Sequence, residues 1–301
     1  MPAQALQFST VARVFGDDLR QVAAAARLAG FEGLQIDAIT RAIDLTALSG
    51  TGFRELRHIL SAQAQRPVAL RAETGAEGLG PKADVDRVLD RADGVLRAAA
   101  ALAVPVVCLD LGRLPPAPKV MKPKPPVTSA MAGFLILPEP VVEAEPEPAA
   151  TKVDPALVAH WQRAMSALGD IADRYGVMLA LASTQSSLAS LDALTRGTPC
   201  PWFGVDFDPS ALLRDEWTAD ELFDAMGPQI RHVRARDAVG GEGGRTKPAV
   251  LGRGDVAWRS ILELLDASGY HAAVTVDSTE LPDPPAAAVA GLKQLRAILA
   301  S

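Results

Sequence analysis

The strongest constraint on the fold is a regular alternation between short β-branched runs and longer amphipathic helical patterns. Such an alternation is typical of βα units built around a parallel sheet. Eight units can be counted, with predicted strands at residues 6–12, 33–37, 67–73, 104–111, 176–182, 202–208, 230–237 and 271–277. Eight strands and eight helices fit a closed barrel better than an open doubly wound sheet. We therefore predict an α/β fold, a (β/α)8 TIM barrel.

One segment interrupts the alternation after the fourth strand. Eleven of the 23 prolines lie between Pro115 and Pro155, with lysines near the start of this stretch and glutamates near its end. Such a composition cannot bury enough apolar surface to offset the entropy of ordering the chain. We predict one barrel domain over residues 1–301 with a proline-rich insertion at 115–153. The apolar patch of this insertion, at 132–137, suggests that it docks on the barrel or contacts a second subunit or a partner. The alternatives are that the insertion is a tolerated loop or a lid over the barrel mouth.

Composition excludes several classes of protein. Thirty Lys and Arg against 36 Asp and Glu give a net charge of -6, so the chain lacks the basic field that nucleic-acid binding needs. No stretch approaches the roughly 20 apolar residues that cross a bilayer. Cys108 and Cys200 are isolated in sequence, which argues against a disulfide framework or a thiolate zinc cluster, and Cys108 is expected in the core. We expect a cytoplasmic protein with neither nucleic acid nor membrane as a partner.

Several blocks of sequence resemble those of a known family. They are GFEGLQID at 30–37, GVDFDPSALL at 204–213, HVRARD at 232–237, and LGRGDVAW with GYHAAVTVD between 251 and 277. In order and spacing they resemble the sugar phosphate isomerase/epimerase superfamily, the xylose isomerase-like TIM barrels. The resemblance implies a role in carbohydrate metabolism. The implied chemistry is aldose–ketose isomerisation or epimerisation of a small sugar, assisted by a divalent metal such as Mn²⁺ or Mg²⁺.

The metal-binding positions that this resemblance implies are changed in the chain. The family pattern is Glu after strand five, Asp after strand six, His on strand seven and Glu after strand eight. Here these positions carry Ala182, Asp208, Arg234 and Asp277. A guanidinium cannot become a ligand, and its charge repels a divalent ion. We therefore expect no cofactor and disfavour Mn²⁺ or Mg²⁺, with a three-carboxylate Mg²⁺ site that adds Asp206 as the remaining alternative.

Side chains alternate along a strand, which places charged side chains of strands six to eight on one common face, and the family resemblance implies that this face points inward. This face carries Asp206, Asp208, His232, Arg234, Arg236 and Asp277. We expect Arg234 to pair with Asp208 and Asp277, so that arginine and aspartate replace the metal. The predicted catalytic residues are Asp208 and Asp277 as bases and Arg234 as the group that stabilises an enediolate.

Further polar residues are predicted to bind the substrate at the same barrel mouth. They are Arg236, His232, Asp206, Arg71, Asp110 and Gln35. By the family resemblance, Gln35 stands where many relatives carry Glu. Arg71, Arg234 and Arg236 would form a basic focus that holds a phosphate or carboxylate, so the expected ligand is a small sugar or an anionic sugar derivative. The alternative for each residue is a satisfied polar pair in the barrel core.

Two functions remain in view. The first is a sugar phosphate isomerase/epimerase-like protein whose chemistry is metal-independent or lost. The alternative is a pseudoenzyme, a non-catalytic barrel that binds a ligand or another protein. A nuclease of the same superfold is disfavoured because the chain has only four histidines and no basic surface. Glycine-rich stretches at 240–244 and 251–254 are read as a mobile loop beside the mouth. The sequence leaves substrate identity, stereochemistry and oligomeric state open.

Overall fold

A computed structural model describes residues 6–117 and 154–300 of the chain. Its strands are β1 (Gln7–Val11), β2 (Gly33–Asp37), β3 (Arg66–Ala72), β4 (Val106–Asp110), β5 (Met178–Ala182), β6 (Phe203–Phe207), β7 (Ile230–Ala235), β8 (Asp237–Gly240), β9 (Thr246–Ala249) and β10 (Ala273–Val276). All but β8 and β9 form a closed parallel barrel in the order β1-β10-β7-β6-β5-β4-β3-β2. The predicted (β/α)8 TIM barrel is confirmed.

Helices surround the barrel on its outside. In the described ranges they are α1 (Leu19–Ala29), α2 (Gly50–Ala62), α3 (Val85–Leu102), α4 (Pro155–Tyr175), α5 (Leu188–Gly197), α6 (Ser210–Asp215), α7 (Ala219–Met226), α8 (Trp258–Ala267) and α9 (Pro284–Leu299). The short helix α6 follows β6 directly and was not predicted from the sequence. It comes before α7 in the chain.

Local sequence explains where many helices begin and end. Asp18 caps α1 by accepting hydrogen bonds from the backbone N–H groups of its first turn. Thr218 and Glu221 form a capping box at the start of α7. Helix α1 ends at Gly30, whose φ of 91° lies in the left-handed region that favours glycine. These signals hold the helix ends, while apolar stripes pack the helices on the barrel.

The barrel has an apolar outer layer and a partly polar interior. Side chains such as Leu70 and Val107 face the helices and belong to the main core. The alternate residues Ala69 and Cys108 belong to a separate small cluster, which strand alternation places inside the barrel. Ser9, Gln35, Asp206, His232 and Thr275 are also buried. The interior therefore combines small apolar side chains with buried polar groups.

Most of the predicted insertion, residues 118–153, lies outside the described residues, including the patch at 132–137. Before it, the backbone N–H of Leu114 donates to Ser186 Oγ at 2.7 Å, and that of Ala117 donates to Ser190 Oγ at 3.1 Å. The chain therefore leaves β4 along the start of α5. Among the helices of the described ranges, none is long and apolar enough to cross a membrane.

The glycine-rich stretch after strand seven forms an antiparallel hairpin of β8 and β9, where the sequence predicted a loop without strands. Asp237 anchors the base of the hairpin and is 4% exposed. Its carboxylate accepts backbone hydrogen bonds from Ala238, Gly252, Gly254 and Val256. This buried carboxylate joins the hairpin to the returning chain, an arrangement that the glycine spacing alone did not indicate.

Candidate functional site

A cavity of about 460 Å³ opens at the carboxyl ends of the barrel strands. This is the face on which TIM barrels build their sites. Its charged lining residues are Arg13, Arg71, Arg214, Arg234, Arg236, Asp110, Asp206, Asp208, Asp277 and Glu280. Seven of the nine predicted site residues are among those that line it. Gln35 and His232 are the other two, and both are buried deeper in the barrel.

Arg234 lies on β7 and is only 4% exposed. Its Nη2 donates a hydrogen bond to Asp206 Oδ2. The prediction that Arg234 pairs with Asp208 and Asp277 is therefore wrong, because the carboxylate that accepts its hydrogen bond is that of Asp206. The side chain reaches Asp206 on the adjacent strand β6. Burial tends to lower the pKa of this guanidinium, but Asp206 and the nearby charges of Asp208 and Asp277 raise it. Burial alone would raise the pKa of Asp206. The positive charges of Arg234 and His232 lower this pKa by more than burial raises it, so it lies well below its usual range.

Asp208 is held on both of its oxygens. Its Oδ1 accepts from the Ser210 backbone N–H at 3.0 Å and from Ser210 Oγ at 2.6 Å. Its Oδ2 accepts from Arg236 Nη1 at 3.2 Å. Arg236 also forms an ion pair with Glu280, a residue that was not predicted. Although burial lowers the pKa of Arg236, the carboxylates of Asp208, Asp277 and Glu280 raise it. Arg236 therefore stays charged between two carboxylates.

Asp277 follows β10 at the cavity wall and is 8% exposed. Its Oδ1 accepts from the Thr279 backbone N–H at 3.1 Å and from Thr279 Oγ1 at 2.6 Å. No hydrogen bond to its Oδ2 is found within the described residues. Burial tends to raise the pKa of Asp277, but the bonds from Thr279 and the charges of Arg234 and Arg236 lower it. Asp277 therefore stays ionised and is a weak base near neutral pH.

Arg71 and Asp110 line the opposite side of the cavity. Arg71, near the end of β3, is half-buried, and no carboxylate of the described residues forms an ion pair with it. Asp110 Oδ1 accepts from the Gly112 N–H at 2.9 Å, and its Oδ2 accepts from Thr184 Oγ1 at 2.8 Å. Asp110 therefore joins the loops that follow β4 and β5, whereas Arg71 is left available to a ligand.

A buried polar layer lies beneath the cavity. His232 Nδ1 hydrogen-bonds Asp206 Oδ1 at 2.7 Å, and its Nε2 hydrogen-bonds Thr275 Oγ1 at 2.8 Å. Burial tends to lower the pKa of His232, but the neighbouring Cys108 and Asp206 raise it to about 10. Gln35 is fully buried, and neither atom of its amide has a partner within the described residues. Neither His232 nor Gln35 lines the cavity, although both were predicted to bind the substrate.

Three groups of this layer are potential metal ligands. Ligand atoms of Cys108, Asp206 and His232 all lie within 4.8 Å of one another, and all three residues are buried. The sequence predicts Cys108 only as a core residue and gives no sign of this group, because its members come from three separate strands. A metal ion here would have to displace His232 and Arg234 from their hydrogen bonds to Asp206.

The family's own metal positions do not fit a divalent ion. Ala182 offers no ligand atom, and it lines the cavity where the resemblance implies a Glu. Arg234 places a buried cation where the resemblance implies an imidazole, and its hydrogen bond to Asp206 holds it there. The carboxylate of Asp208 is engaged by Ser210 and Arg236. Of the four positions, only Asp277 presents a carboxylate oxygen without a hydrogen-bond partner in the described ranges.

Several further residues of the cavity wall were not predicted. They include Arg13, Arg214, Thr246 and Glu280. Arg214 donates to Asp215 at 2.8 Å through Nε and to Ser186 O at 2.7 Å through Nη2, and so it ties α6 to the loop after β5. The hydrogen bond that Arg214 donates to Asp215 raises the pKa of Arg214. Arg214 and Glu280 both stand shortly after predicted strand ends, a position that could have marked them for the mouth.

A protein-family model described as "Xylose isomerase-like TIM barrel" matches residues 22–298. A xylose isomerase domain protein from Planctomyces limnophilus is 17% identical, with a TM-score of 0.72 over 99% of this chain and 97% of that chain. The apo form of 3-keto-D-glucoside 4-epimerase from E. coli is 15% identical, with a TM-score of 0.65 over 97% of this chain and 100% of that chain.

A third similar structure is a xylose isomerase-like TIM barrel protein from Mycobacterium smegmatis in complex with magnesium. It is 16% identical, with a TM-score of 0.65 over 99% of this chain and 97% of that chain. No curated protein matches the chain at a significant level. At these identities the structural matches show a shared fold, and the family model shows the family.

Proposed function

Because the chain belongs to the xylose isomerase-like TIM barrel family, we propose that its mouth cavity binds a small sugar derivative with an anionic group. We propose further that the protein isomerises or epimerises this ligand without a divalent metal. The solved relatives that are named as sugar epimerases make sugar chemistry a reasonable expectation for this fold. The particular chemistry rests on the charges of this chain's own cavity.

The unpaired charge of Arg71 carries the proposal. The other arginines of the cavity have carboxylate partners: Arg13 with Asp37, Arg214 with Asp215, Arg234 with Asp206, and Arg236 with Asp208 and Glu280. Within the described residues, Arg71 has no such partner. A half-buried guanidinium presents a planar pair of donors that matches a carboxylate or a phosphate. An anionic group on the ligand would complete this pairing.

Arg234 supports the absence of a metal. Its guanidinium is a fixed positive charge on the cavity wall, held by Asp206 in a nearly dry environment. Fixed charges in such surroundings stabilise a developing oxyanion without reorganising. Arg234 is therefore suited to stabilise the enediolate oxygen that forms when a proton leaves the neighbouring carbon.

Asp277 is the side chain best placed to move that proton. Its Oδ2 would take the proton from the carbon beside the carbonyl, and the C–H electron pair would form the enediolate. Returning the proton to the neighbouring carbon gives the isomer once the hydroxyl proton has moved to the former carbonyl oxygen. Returning it to the other face of the same carbon gives the epimer and requires a second donor. Because the pKa of Asp277 is lowered, we expect slow turnover.

A non-catalytic binding module is the second candidate. This candidate is favoured because neither predicted base is well suited to take a proton. The carboxylate of Asp208 accepts hydrogen bonds from Ser210 and Arg236, and Asp277 is a weak base because its pKa is lowered. The same cavity would then bind the anionic sugar without changing it. Cytoplasmic location and contact with a second subunit or partner through residues 115–153 stay predictions from the sequence.

Ligand-induced thermal shifts test the proposal. Inorganic phosphate, pentose and hexose phosphates and the matching neutral sugars are compared in EDTA and in Mn²⁺. We expect sugar phosphates to stabilise the protein in EDTA, and Arg71→Ala to remove this effect. Arg66→Ala, at the opposite end of β3, is the matched control. Equal responses to neutral and phosphorylated sugars, or a strict need for Mn²⁺, would contradict the proposal.

Solvent deuterium separates the two candidate functions. A bound sugar phosphate that exchanges a carbon-bound proton with D₂O, detected by NMR, identifies an isomerase or epimerase. A sugar phosphate that binds without exchange identifies the binding module. Asp277→Asn should abolish exchange, because it removes the proposed base, and should leave the affinity for inorganic phosphate equal or higher, because it removes a negative charge from the cavity wall.

A further inference from the structure

A continuous chain of hydrogen bonds runs from the barrel interior to the cavity. Ser9 Oγ bonds Thr275 Oγ1 at 2.8 Å, and Thr275 Oγ1 bonds His232 Nε2 at 2.8 Å. His232 Nδ1 then bonds Asp206 Oδ1 at 2.7 Å, and Asp206 Oδ2 accepts from Arg234. Every member is at most 4% exposed. The two ends of this chain differ, because only the Asp206 and Arg234 end reaches the cavity.

We propose that His232 is a positioning residue, which acts through Asp206 to hold the Arg234 guanidinium at the cavity wall. His232 itself is remote from any ligand in the cavity, because it does not line the cavity and is 2% exposed. The inference rests on the proposed function only in what the Arg234 guanidinium binds. How the guanidinium is held follows from the hydrogen bonds of His232 and Asp206. The inference assigns to His232 a role different from the substrate contact that the sequence predicts.

The geometry around Asp206 requires such a residue. A carboxylate held only by Arg234 could rotate about its side-chain torsions and carry the guanidinium with it. His232 Nδ1 takes one carboxylate oxygen and leaves the other to Arg234, so the carboxylate plane is fixed. Thr275 in turn fixes the imidazole ring from its far side. This resembles the way in which outer hydrogen-bond partners orient metal ligands, with a guanidinium in the place of the ion.

Burial makes this orientation consequential. The pair of Arg234 and Asp206 is shielded from water, so a change in direction of the guanidinium is not compensated by solvent. Hydrogen bonds to charged groups are strongly directional and stronger than neutral ones. A guanidinium that turned away by one rotamer would lose its ligand-facing donor. We therefore expect the order of the Arg234 guanidinium to depend on His232, although His232 does not line the cavity.

Two substitutions of His232 separate its two hydrogen bonds. The Asn amide nitrogen lies close to the position of Nδ1, so His232→Asn keeps a donor for Asp206. The Gln amide nitrogen lies close to the position of Nε2, so His232→Gln keeps the contact with Thr275 and loses that with Asp206. We expect the Arg234 side chain to stay ordered in the Asn variant and to become mobile in the Gln variant. His160→Asn, on α4, is the control for loss of a histidine elsewhere.

NMR of protein labelled with ¹⁵N-arginine reads out this order without any ligand. The Arg234 Nε–Hε signal is assigned by its loss in Arg234→Lys. We expect a sharp, resolved signal in the wild type and in His232→Asn, and a broadened signal in His232→Gln. Inorganic phosphate, which is proposed to pair with Arg71, should bind both variants within about twofold of the wild type, so that a change in the Arg234 signal does not reflect a loss of the cavity as a whole.

An unchanged Arg234 signal in a folded His232→Gln variant would overturn the positioning role, and so would equal broadening in both variants. If His232→Gln fails to fold, a broadened Arg234 signal in His232→Asn, which keeps the donor to Asp206, also overturns it. If inorganic phosphate does not bind the wild type, the proposed function fails, but the ligand-free NMR comparison still decides the role of His232.

Discussion

Arg234 and Asp206 form a buried ion pair between adjacent strands, with side chains that are 5% and 1% exposed. Removing two charges from water is costly, and their attraction offsets this only when further hydrogen bonds satisfy the remaining groups. His232 supplies such a bond to Asp206. The cavity therefore contains a fixed cation whose position depends on residues that no ligand touches.

Breaking this pair should destabilise the fold strongly. Arg234→Met leaves the Asp206 carboxylate buried without its cation, and we expect a loss of about 3–5 kcal/mol in the free energy of unfolding. Arg174→Met, which breaks an exposed pair with Asp93, should change it by less than about 1 kcal/mol. Urea denaturation of both variants makes the comparison. Similar losses in the two variants would contradict the burial argument.

Stability should fall in acid because of Asp206 and Asp277. The pKa of each is lowered in the folded state, so each contributes stability that is fully present above its unfolded pKa of about 3.9. That contribution is lost as the pH falls through the folded pKa. Asp277→Asn should therefore flatten the dependence of unfolding free energy on pH below about 4. Urea titrations between pH 2.5 and 6 measure it, with Asp170→Asn on exposed α4 surface as the control.

The hairpin base should not tolerate a side chain at Gly254. A Cβ there would lie 2.2 Å from Asp237 Oδ1 and 2.5 Å from Ala238 O. Gly254→Ala should cost about 1–3 kcal/mol of stability, because backbone or the buried carboxylate must shift. At Gly50, in the first turn of α2, nothing lies within 4 Å of an added Cβ, so Gly50→Ala should be neutral or slightly stabilising. Thermal denaturation distinguishes the two, and equal midpoints would show that the loop yields freely.

A divalent metal site should be recoverable by restoring ligands. Ala182→Glu with Arg234→His replaces the missing donor and removes the buried cation, next to the retained Asp208 and Asp277. We expect the double variant to bind Mn²⁺ in a calorimetric titration and the wild type to show no binding at these positions. Arg234→Ala alone, which removes repulsion without adding a ligand, is the control. Tight stoichiometric Mn²⁺ binding by the wild type would contradict our reading of Ala182 and Arg234.

Much of the barrel follows from local pattern. The positions of all eight barrel strands were predictable, since β-branched runs and helical periodicity are local properties. Helix α6 and the β8–β9 hairpin were not, because each depends on contacts that no short pattern records. The hairpin requires the Asp237 carboxylate to gather N–H groups from residues up to 19 positions away.

The site was predictable in its membership but not in its pairing. Strand alternation correctly brought Asp208, Arg234, Arg236 and Asp277 to one cavity. It could not show that Arg234 reaches Asp206, because alternation does not fix the direction in which a long side chain extends. Residues on loops, such as Glu280, follow no periodicity.

The hydrogen-bond chain beneath the cavity crosses the seam at which the barrel closes, since Ser9 is on β1 and Thr275 is on β10. During synthesis, a chain that has not yet released β10 therefore lacks the partner that steadies the His232 ring. The cavity gains the Asp277 carboxylate, and His232 gains its contact with Thr275, only when the last strand has joined the first. A chain cut short before β10 should therefore lack the proposed ligand binding, even where its earlier strands have assembled.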